Sequence, residues 1–450
     1  MTDYNDELFD EETGEIFTEE MIQFIKNEYE IAEDFLDFLD ESVSMYHATE
    51  LTATRLEKAG YEKLDLTKKW DLKANGRYYL IVNNSTVIAF RVGKDSSKGF
   101  RIVGSHTDSP GFKIKANPVI KKEGYIQLNT EVYGGPLLST WFDRPLSIAG
   151  RVYTKGKSSH SPRVQLLNVD YDLLTIPSLA IHMIRDKNKD SDINPQIHTL
   201  PILGIDEYFD LDELIADELD IDIDDIISHD LFLYNREEAN IVGMNADFIQ
   251  SGKIDNLGMV HASLTALLES EESEYTQVFV AFDNEEIGSS TQQGAASAMF
   301  RDVLRKISLT LGNDEITFIN QLYDSYMISA DQAHAIHPNY LDKADPTNRP
   351  KINGGPVIKD SARKSYATDG FGRAVLVDIA DKAGVPLQYF HNRSDLRGGS
   401  TIGAIIETNT GIRNIDIGNP MLAMHSSREL TGILDHVYMI ELMRGFFESK

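Results

Sequence analysis

The 450-residue chain has no cysteine. That excludes a disulfide framework and any thiolate metal site, and it leaves His, Asp and Glu as the supply of metal ligands. Positive charge is also scarce. Lys and Arg total 43 against 72 Asp and Glu, for a formal charge of −29. Such a surface repels phosphate backbones and anionic lipid, so neither nucleic acid nor a membrane is expected as a partner. An acidic substrate would need a local cation to overcome the overall field. No apolar run approaches the roughly 18 residues of a membrane span. Met1 to Glu12 is acidic and lacks a basic n-region and an apolar h-region, so no secretory signal is read there and a cytoplasmic location is expected.

What is present is ordinary globular composition, 41% hydrophobic and 26% charged, in a chain long enough for two cores. Residues 16–58 read as helical, with Ile22, Phe24, Ile25, Tyr29, Ile31, Phe35 and Phe38 at mixed three- and four-residue spacings. Tyr78 to Val92 alternates about Asn83-Asn84-Ser85 as a hairpin does, and Phe100 to Gly104 is a short apolar strand ending at Ser105-His106. Between about 113 and 200 the texture is all-β, with strands at Tyr125–Tyr133, Leu146–Tyr153 and Arg163–Val169. Asp206 to Ile226 holds eleven acids and no Lys or Arg, with Leu211, Leu214, Ile215 and Leu219 at helical spacing. It lacks the ligand spacing and turn glycine of an EF-hand, so it reads as a solvated helix face. After 250, strands and helices alternate. Helices are expected at Leu257–Leu268, Gln292–Leu309 and Glu429–Phe447, and strands at Gln277–Phe282, Tyr326–Ser329, Leu387–His391 and Ile412–Ile417. That alternation predicts a sheet covered by helices on both faces, with the β-rich module inserted between two parts of one α/β domain.

Five segments place His, Asp or Glu at strand ends or in the loops beyond them, where open α/β sheets form their sites. They are Gly104-Ser105-His106-Thr107-Asp108, Asp255-Asn256, Asp283-Asn284-Glu285-Glu286, Ser329-Ala330-Asp331 and Met424-His425-Ser426. Singly each is weak, because about two His-x-acid triplets are expected by chance in this composition. Taken alone, His106 reads more readily as a hydrogen-bonded loop histidine, Glu285-Glu286 reads also as a solvated turn, and His425 equally as a cap or packing residue. Two adjacent carboxylates directly after the apolar strand Val278–Phe282 would nevertheless repel one another in a cleft, and a cation would relieve that repulsion. Two divalent ions roughly 3.5–4 Å apart need a bridging carboxylate and a few N/O ligands each. Two His, two Asp and a Glu meet that need, and a further carboxylate is required to accept a proton from the attacking water.

The same segments resemble the M18 metallopeptidases, the aspartyl aminopeptidase family, along nearly the whole chain. The blocks that carry the resemblance are Gly104-Ser-His-Thr-Asp-Ser-Pro110, Ser139-Thr-Trp-Phe-Asp-Arg144, Ile176-Pro-Ser-Leu-Ala-Ile-His182, Asp283-Asn-Glu-Glu-Ile-Gly288, Ala333-His-Ala-Ile-His-Pro-Asn-Tyr340, Gly355-Pro-Val-Ile-Lys359 and Ala423-Met-His-Ser426. The resemblance implies a cytoplasmic aminopeptidase that removes single N-terminal residues, Asp or Glu by preference, from peptides. It implies two divalent ions per chain, zinc by ligand type, with cobalt or manganese able to serve. His106 and Asp331 would hold one ion, Glu286 and His425 the other, and Asp255 would bridge both. Asp108 would orient His106, and Glu285 would be the general base. Lys359 would pair with the acidic side chain of the substrate, with His334 and Tyr366 lining the same pocket.

The fold that the resemblance implies is an α/β exopeptidase domain, residues 1–112 and 241–450, with helices on both faces of a mixed sheet. A β-rich dimerisation domain, 113–240, is inserted into it, and dimers would build a tetrahedral homododecamer. Three departures from the family pattern stand out. Ser178 replaces a His in a loop that reaches a neighbouring subunit's active site, Gln332 follows the ligand Asp331 where Met is usual, and Arg397 stands where Pro is usual. An inactive scaffold would have lost a ligand or the base, and all six positions are intact. A two-metal amidohydrolase of acylamino acids would not carry the Lys359 block. An aminopeptidase for neutral residues remains the alternative for specificity.

Overall fold

The computed structural model describes residues 8–9, 16–17, 19–183, 192–205 and 208–450, with side chains from residue 27 onward. The packing of Ile22, Phe24 and Ile25, the acids Asp206 and Glu207, and most of Met1–Glu12 lie outside the described residues and side chains.

The largest sheet has nine strands. In spatial order they are Gln388–His391, Val357–Asp360, Arg413–Gly418, Tyr326–Ala330, Phe100–His106, Thr276–Phe282, Thr86–Arg91, Arg77–Val82 and Glu62–Lys63. Its central strands read as unbroken apolar runs because both of their faces are covered. Ile102, Val278, Val280 and Phe282 join Ile88 and Phe90 in a core with Phe300, Leu304 and Ile402 from the helices Met299–Thr310 and Ile402–Thr410. The alternate residues Val103, Phe279 and Ala281 join Phe35, Phe38, Leu264 and Met443 from helices on the other face. Burying each large side chain contributes about 1.5–3 kcal/mol, so register in these strands is fixed from both sides. The fold is α/β with helices flanking a mixed sheet.

A six-stranded sheet is built entirely from strands between residues 111 and 235, while strands of the large sheet lie on either side of that stretch. Phe112, Leu128, Trp141, Ile148 and Leu231 form its own core. The acidic segment supplies the helix Leu211–Leu219, capped by Asp210 at the amide of Asp212, with Leu211 and Ile215 turned into that core.

Three sequence expectations need correction. The reach 16–58 is not helical throughout: two helices, Glu19–Glu41 and Met45–Lys58, are preceded by the short strand Ile16–Phe17 and separated at residues 42–44. Ser44 is extended between the helices, and its hydroxyl engages His47 Nδ1 at 2.8 Å, an alternative to helical pairing that short polar side chains offer. The helix expected from Gln292 starts only at Met299, because Gln293 and Gly294 turn back to bond Asn284 and Thr291. The closing helix starts at Ile433, and Glu429–Gly432 is instead a strand paired with Phe248–Ser251 and Pro420–Leu422. That closing helix fixes the helix Ile254–Glu269 through a buried imidazole pair, His261 Nδ1 to His436 Nε2 at 2.8 Å. Asp255 stands at the start of the helix so held.

Candidate active site

The strand Phe100–His106 runs parallel to Thr276–Phe282 on one side and Tyr326–Ala330 on the other, with His106 opposite Phe282 and Gly104 opposite Ser329. The loops after these three strands therefore leave the same edge of the sheet, the place where sites form in open α/β folds. They bring His106, Glu285, Glu286 and Asp331 together. Asp255 arrives from the start of its helix, and His425 from the turn after Pro420–Leu422.

The spacing of the ligand-type atoms is informative. His106 Nε2 lies 3.6 Å from Asp255 Oδ1 and 3.9 Å from Asp331 Oδ1. His425 Nε2 lies 3.6 Å from Asp255 Oδ2 and 3.5 Å from Glu286 Oε1. These gaps exceed hydrogen bonds, which run to about 3.2 Å. Three of the four match the roughly 3.3–3.6 Å expected between two ligands about 2.0–2.2 Å from one tetrahedral ion, and the His106–Asp331 gap is wider. The Asp255 carboxylate stands between two imidazoles and offers one oxygen to each. Three overlapping groups of ligand atoms fall within 4.8 Å: His106, Asp255 and Asp331; His106, Glu285 and Glu286; and Asp255, Glu286 and His425. Behind them, His106 Nδ1 is 3.1 Å from the Asp108 carbonyl and 3.3 Å from Asp108 Oδ1.

Electrostatics say the same from the protein groups alone. Burial, with Asp331, Asp108 and Asp255 adding to it against the pull of His106, pushes Glu285 up to about 8. Burial and Asp255 push Glu286 well above the usual carboxyl range. Burial and Asp331 raise Asp255 to about 6. Burial would lower His106, but Asp108, Asp331 and Glu285 carry it well above its ordinary value. Asp331 departs from the other carboxyls: its burial is outweighed by Lys359 and His106, which hold it at about 2. The site thus concentrates carboxylates that repel one another, and Asp255 Oδ1 is buried with no hydrogen-bond partner. An all-N/O donor set of this kind fits zinc, cobalt or manganese.

Comparison with known proteins decides the family. The description aminopeptidase I zinc metalloprotease (M18) matches residues 38–447. A probable M18 family aminopeptidase 2 from Clostridium acetobutylicum is 50% identical over 431 residues, 94% of this chain and 100% of that protein. The chain belongs to the M18 aminopeptidase family. Among solved structures, the Ape4 and Nbr1 complex contains a chain that matches with TM-score 0.89 and 36% identity, over 94% of this chain and 86% of that one. The S. cerevisiae mApe1 dodecamer matches with TM-score 0.82 and 27% identity, over 94% and 97%. As an M18 aminopeptidase the protein is a zinc metallopeptidase that hydrolyses the N-terminal peptide bond of its substrates.

In this M18 aminopeptidase the ligand-type residues border a cavity of about 420 Å³ that is also lined by Glu285, His334, Lys359, Tyr366 and Phe390. His334 packs against the Phe390 ring at 5.7 Å, and Tyr366 lies under the Lys359 ammonium at 5.3 Å. Lys359 is no surface lysine. It is 2% exposed, and its ammonium donates to the carbonyls of Asp331 at 2.7 Å and Gln332 at 3.1 Å. Its Nζ also lies 3.7 Å from Asp331 Oδ2. Gln332 uses its amide to hold the Ile254 carbonyl, one residue before Asp255. Ser178 donates its amide to Asp143 Oδ1 in the β-rich module and lies outside the cavity lining.

Two residues of the site escape sequence reasoning. Glu429, 1% exposed, accepts from the amides of Asp255 at 3.0 Å and His425 at 2.6 Å, and so fixes the backbone of two ligand-type residues. Tyr133 donates its hydroxyl to Asp108 Oδ2 at 2.8 Å. Neither belongs to a motif with its own signal; only the placement of Tyr133 directly before Gly134-Gly135 hints at close backbone approach.

Proposed function

We propose that the protein is a two-metal aminopeptidase with a preference for N-terminal Asp or Glu. The observation that carries the two-metal reading is the Asp255 carboxylate, whose Oδ1 faces His106 and whose Oδ2 faces His425. His106 and Asp331 would hold one ion, Glu286 and His425 the other, with Asp255 between them. When bound, such ions supply Lewis acidity toward the scissile carbonyl and make water more acidic. Zinc suits the donor set, and cobalt or manganese could replace it. Glu285 borders the cavity, grouped with His106 and Glu286 but outside the two pairs that Asp255 faces, and its amide is held by Asp108 Oδ1 at 3.1 Å. It takes the proton of the attacking water and returns it to the leaving amine. Asp108 orients His106 through Nδ1, which leaves the Nε2 lone pair facing Asp255 and Asp331.

The acidic preference rests on Lys359. An ammonium has three donors; two go to backbone carbonyls, which leaves one for a carboxylate in the cavity that Lys359 lines. His334 and Tyr366 complete that wall. One observation favours the second reading, a preference for neutral residues: the same two carbonyls, with Asp331, already balance much of the Lys359 charge. Peptides beginning with Asp and with the near-isosteric Asn separate the two. A charge-assisted bond contributes about 1.5–3 kcal/mol, or roughly ten- to a hundredfold. Wild type should favour Asp over Asn in kcat/KM by about that ratio, and Lys359→Met should abolish the ratio. The ratio cancels any general damage from loosening Asp331. A wild type that cleaves Asn, Ala or Leu peptides as well as Asp peptides would establish the neutral reading instead.

The division into 1–112 with 241–450 and an inserted 113–240 dimerisation domain is supported by the separate core of the six-stranded sheet. A homododecamer is supported by the dodecameric relative, and the reading takes it as tetrahedral and built from dimers. The Ser178 loop, with Ile181 and Met183 48% and 74% exposed, offers apolar surface for such a contact. A cytoplasmic location belongs to the same reading, and the acidic composition argues against nucleic-acid partners. Among the described residues no helix is long and apolar enough to cross a membrane.

A further inference from the structure

The strand Tyr125–Tyr133 belongs to the six-stranded sheet, yet its last residue and the four that follow reach the ligand cluster in the other part of the molecule. The Tyr133 hydroxyl donates to Asp108 Oδ2 at 2.8 Å and accepts from Asn284 Nδ2 at 2.9 Å. Asp108 in turn accepts from the amides of Glu285 and Glu286, each at 3.1 Å, and faces His106 Nδ1 at 3.3 Å. Gly134 has φ +68°, and a Cβ added there would lie 3.1 Å from Glu286 Cβ. The Gly135 carbonyl accepts from His425 Nδ1–H at 2.9 Å, and the Leu137 amide donates to the His425 carbonyl at 2.9 Å.

Chemistry gives these contacts a direction. A carbonyl can only accept, so Gly135 fixes the proton of His425 on Nδ1 and leaves the Nε2 lone pair toward Asp255 and Glu286. Tyr133 holds the one carboxylate that sets His106 and the backbone of both glutamates. The other end of the segment's support lies in the β-rich module and the second helix. The Tyr133 ring meets Phe232 edge-on at 5.5 Å and packs with Met45 and Tyr46. A five-residue stretch therefore touches both halves of the ligand set while being anchored elsewhere.

We infer that Tyr133–Leu137 is a strap through which the β-rich module sets the metal affinity of the active site, with Tyr133, Gly134 and Gly135 as positioning residues for Asp108, Glu286 and His425. The inference rests on the metal-centre reading above. It makes module placement a condition for a competent ligand set, so that any assembly contact that shifts the module would alter zinc retention.

Zinc affinity, measured by competition with a chromogenic chelator, tests it alongside the melting temperature of the metal-free protein. Tyr133→Phe keeps the ring against Phe232 and removes only the hydroxyl. It should weaken zinc binding by about 10–100-fold, the usual cost of losing a partner behind a metal ligand. Gly134→Ala, which forces a Cβ against Glu286 at a positive φ, should do the same by an independent route. Tyr234→Phe is the control. It removes another buried hydroxyl of the same module, bonded to Asn168 Oδ1 and the Val169 carbonyl, away from the ligands, and should leave zinc affinity within about twofold. Wild type that binds zinc while Tyr133→Phe and Gly134→Ala bind it equally well would overturn the strap and leave the metal centre standing. A loss in Tyr234→Phe equal to that in Tyr133→Phe would reduce the effect to module stability and also overturn it. Failure of wild type to bind zinc would remove the metal reading itself.

Discussion

Glu285→Gln should retain its metal and its assembly while turnover falls by about 10²–10⁴-fold, the usual contribution of a general base. The amide keeps the shape and the backbone bond to Asp108 Oδ1, and loses only the capacity to accept a proton. Burial and the neighbouring carboxylates push Glu285 up to about 8 in the protein alone, so the environment favours the protonated form that a base must pass through. Metal analysis and kcat on the same preparation check this. Loss of metal with Glu285→Gln, and its retention with Glu286→Gln, would exchange the roles of the two glutamates.

Asp255→Asn should have the second large effect, with two parts of opposite sign. Hydrolysis should fall to the level of chelator-treated wild type, because the group that faces both His106 and His425 loses its charge. The metal-free protein, however, should become more stable at neutral pH. Burial and Asp331 raise Asp255 to about 6 from an ordinary value of 3.8. A carboxyl so raised contributes stability that is complete below its unfolded pKa and is lost as pH rises through about 6. Above that pH the folded, metal-free wild type carries a buried charge that burial and Asp331 disfavour and that the Asn variant lacks, a difference on the order of 1–3 kcal/mol. Denaturant melts in chelator should therefore show the variant gaining on wild type between pH 4 and 7. A variant that is less stable than wild type throughout that range would mean that Asp255 is held by protein partners and not poised for cations.

The ligand-type residues were legible in the sequence because chemistry of this kind is written at strand ends. His106 follows the apolar run Phe100–Gly104, and Glu285 and Glu286 follow Val278–Phe282, so a two-sided buried strand announces where its loop begins. Asp331 follows Tyr326–Ala330 in the same way. What the periodicity could not reveal are contacts made across the chain by single residues. Glu429 begins a run that looks helical through Phe447. It is in fact in a strand, where its carboxylate is needed by two amides that lie far away or in a turn. Tyr133 reads as the last residue of an ordinary strand, and only the closure of the module onto the large sheet brings it to Asp108. The break at Ser42–Ser44 was hidden by apolar spacing that continues on both sides, since the local bond of Ser44 to His47 leaves no trace in hydrophobicity. Lys359 was legible as a residue of the pocket, but its burial under two carbonyls was not.

The most direct test of the central claim is anomalous diffraction at the zinc edge from crystals of the zinc-loaded protein. Two peaks are expected, roughly 3.5–4 Å apart as in other paired sites. One should be bound by His106, Asp331 and an oxygen of Asp255, the other by Glu286, His425 and the second oxygen of Asp255. A single peak, or peaks that leave the Asp255 carboxylate unbound under saturating zinc, would contradict the account.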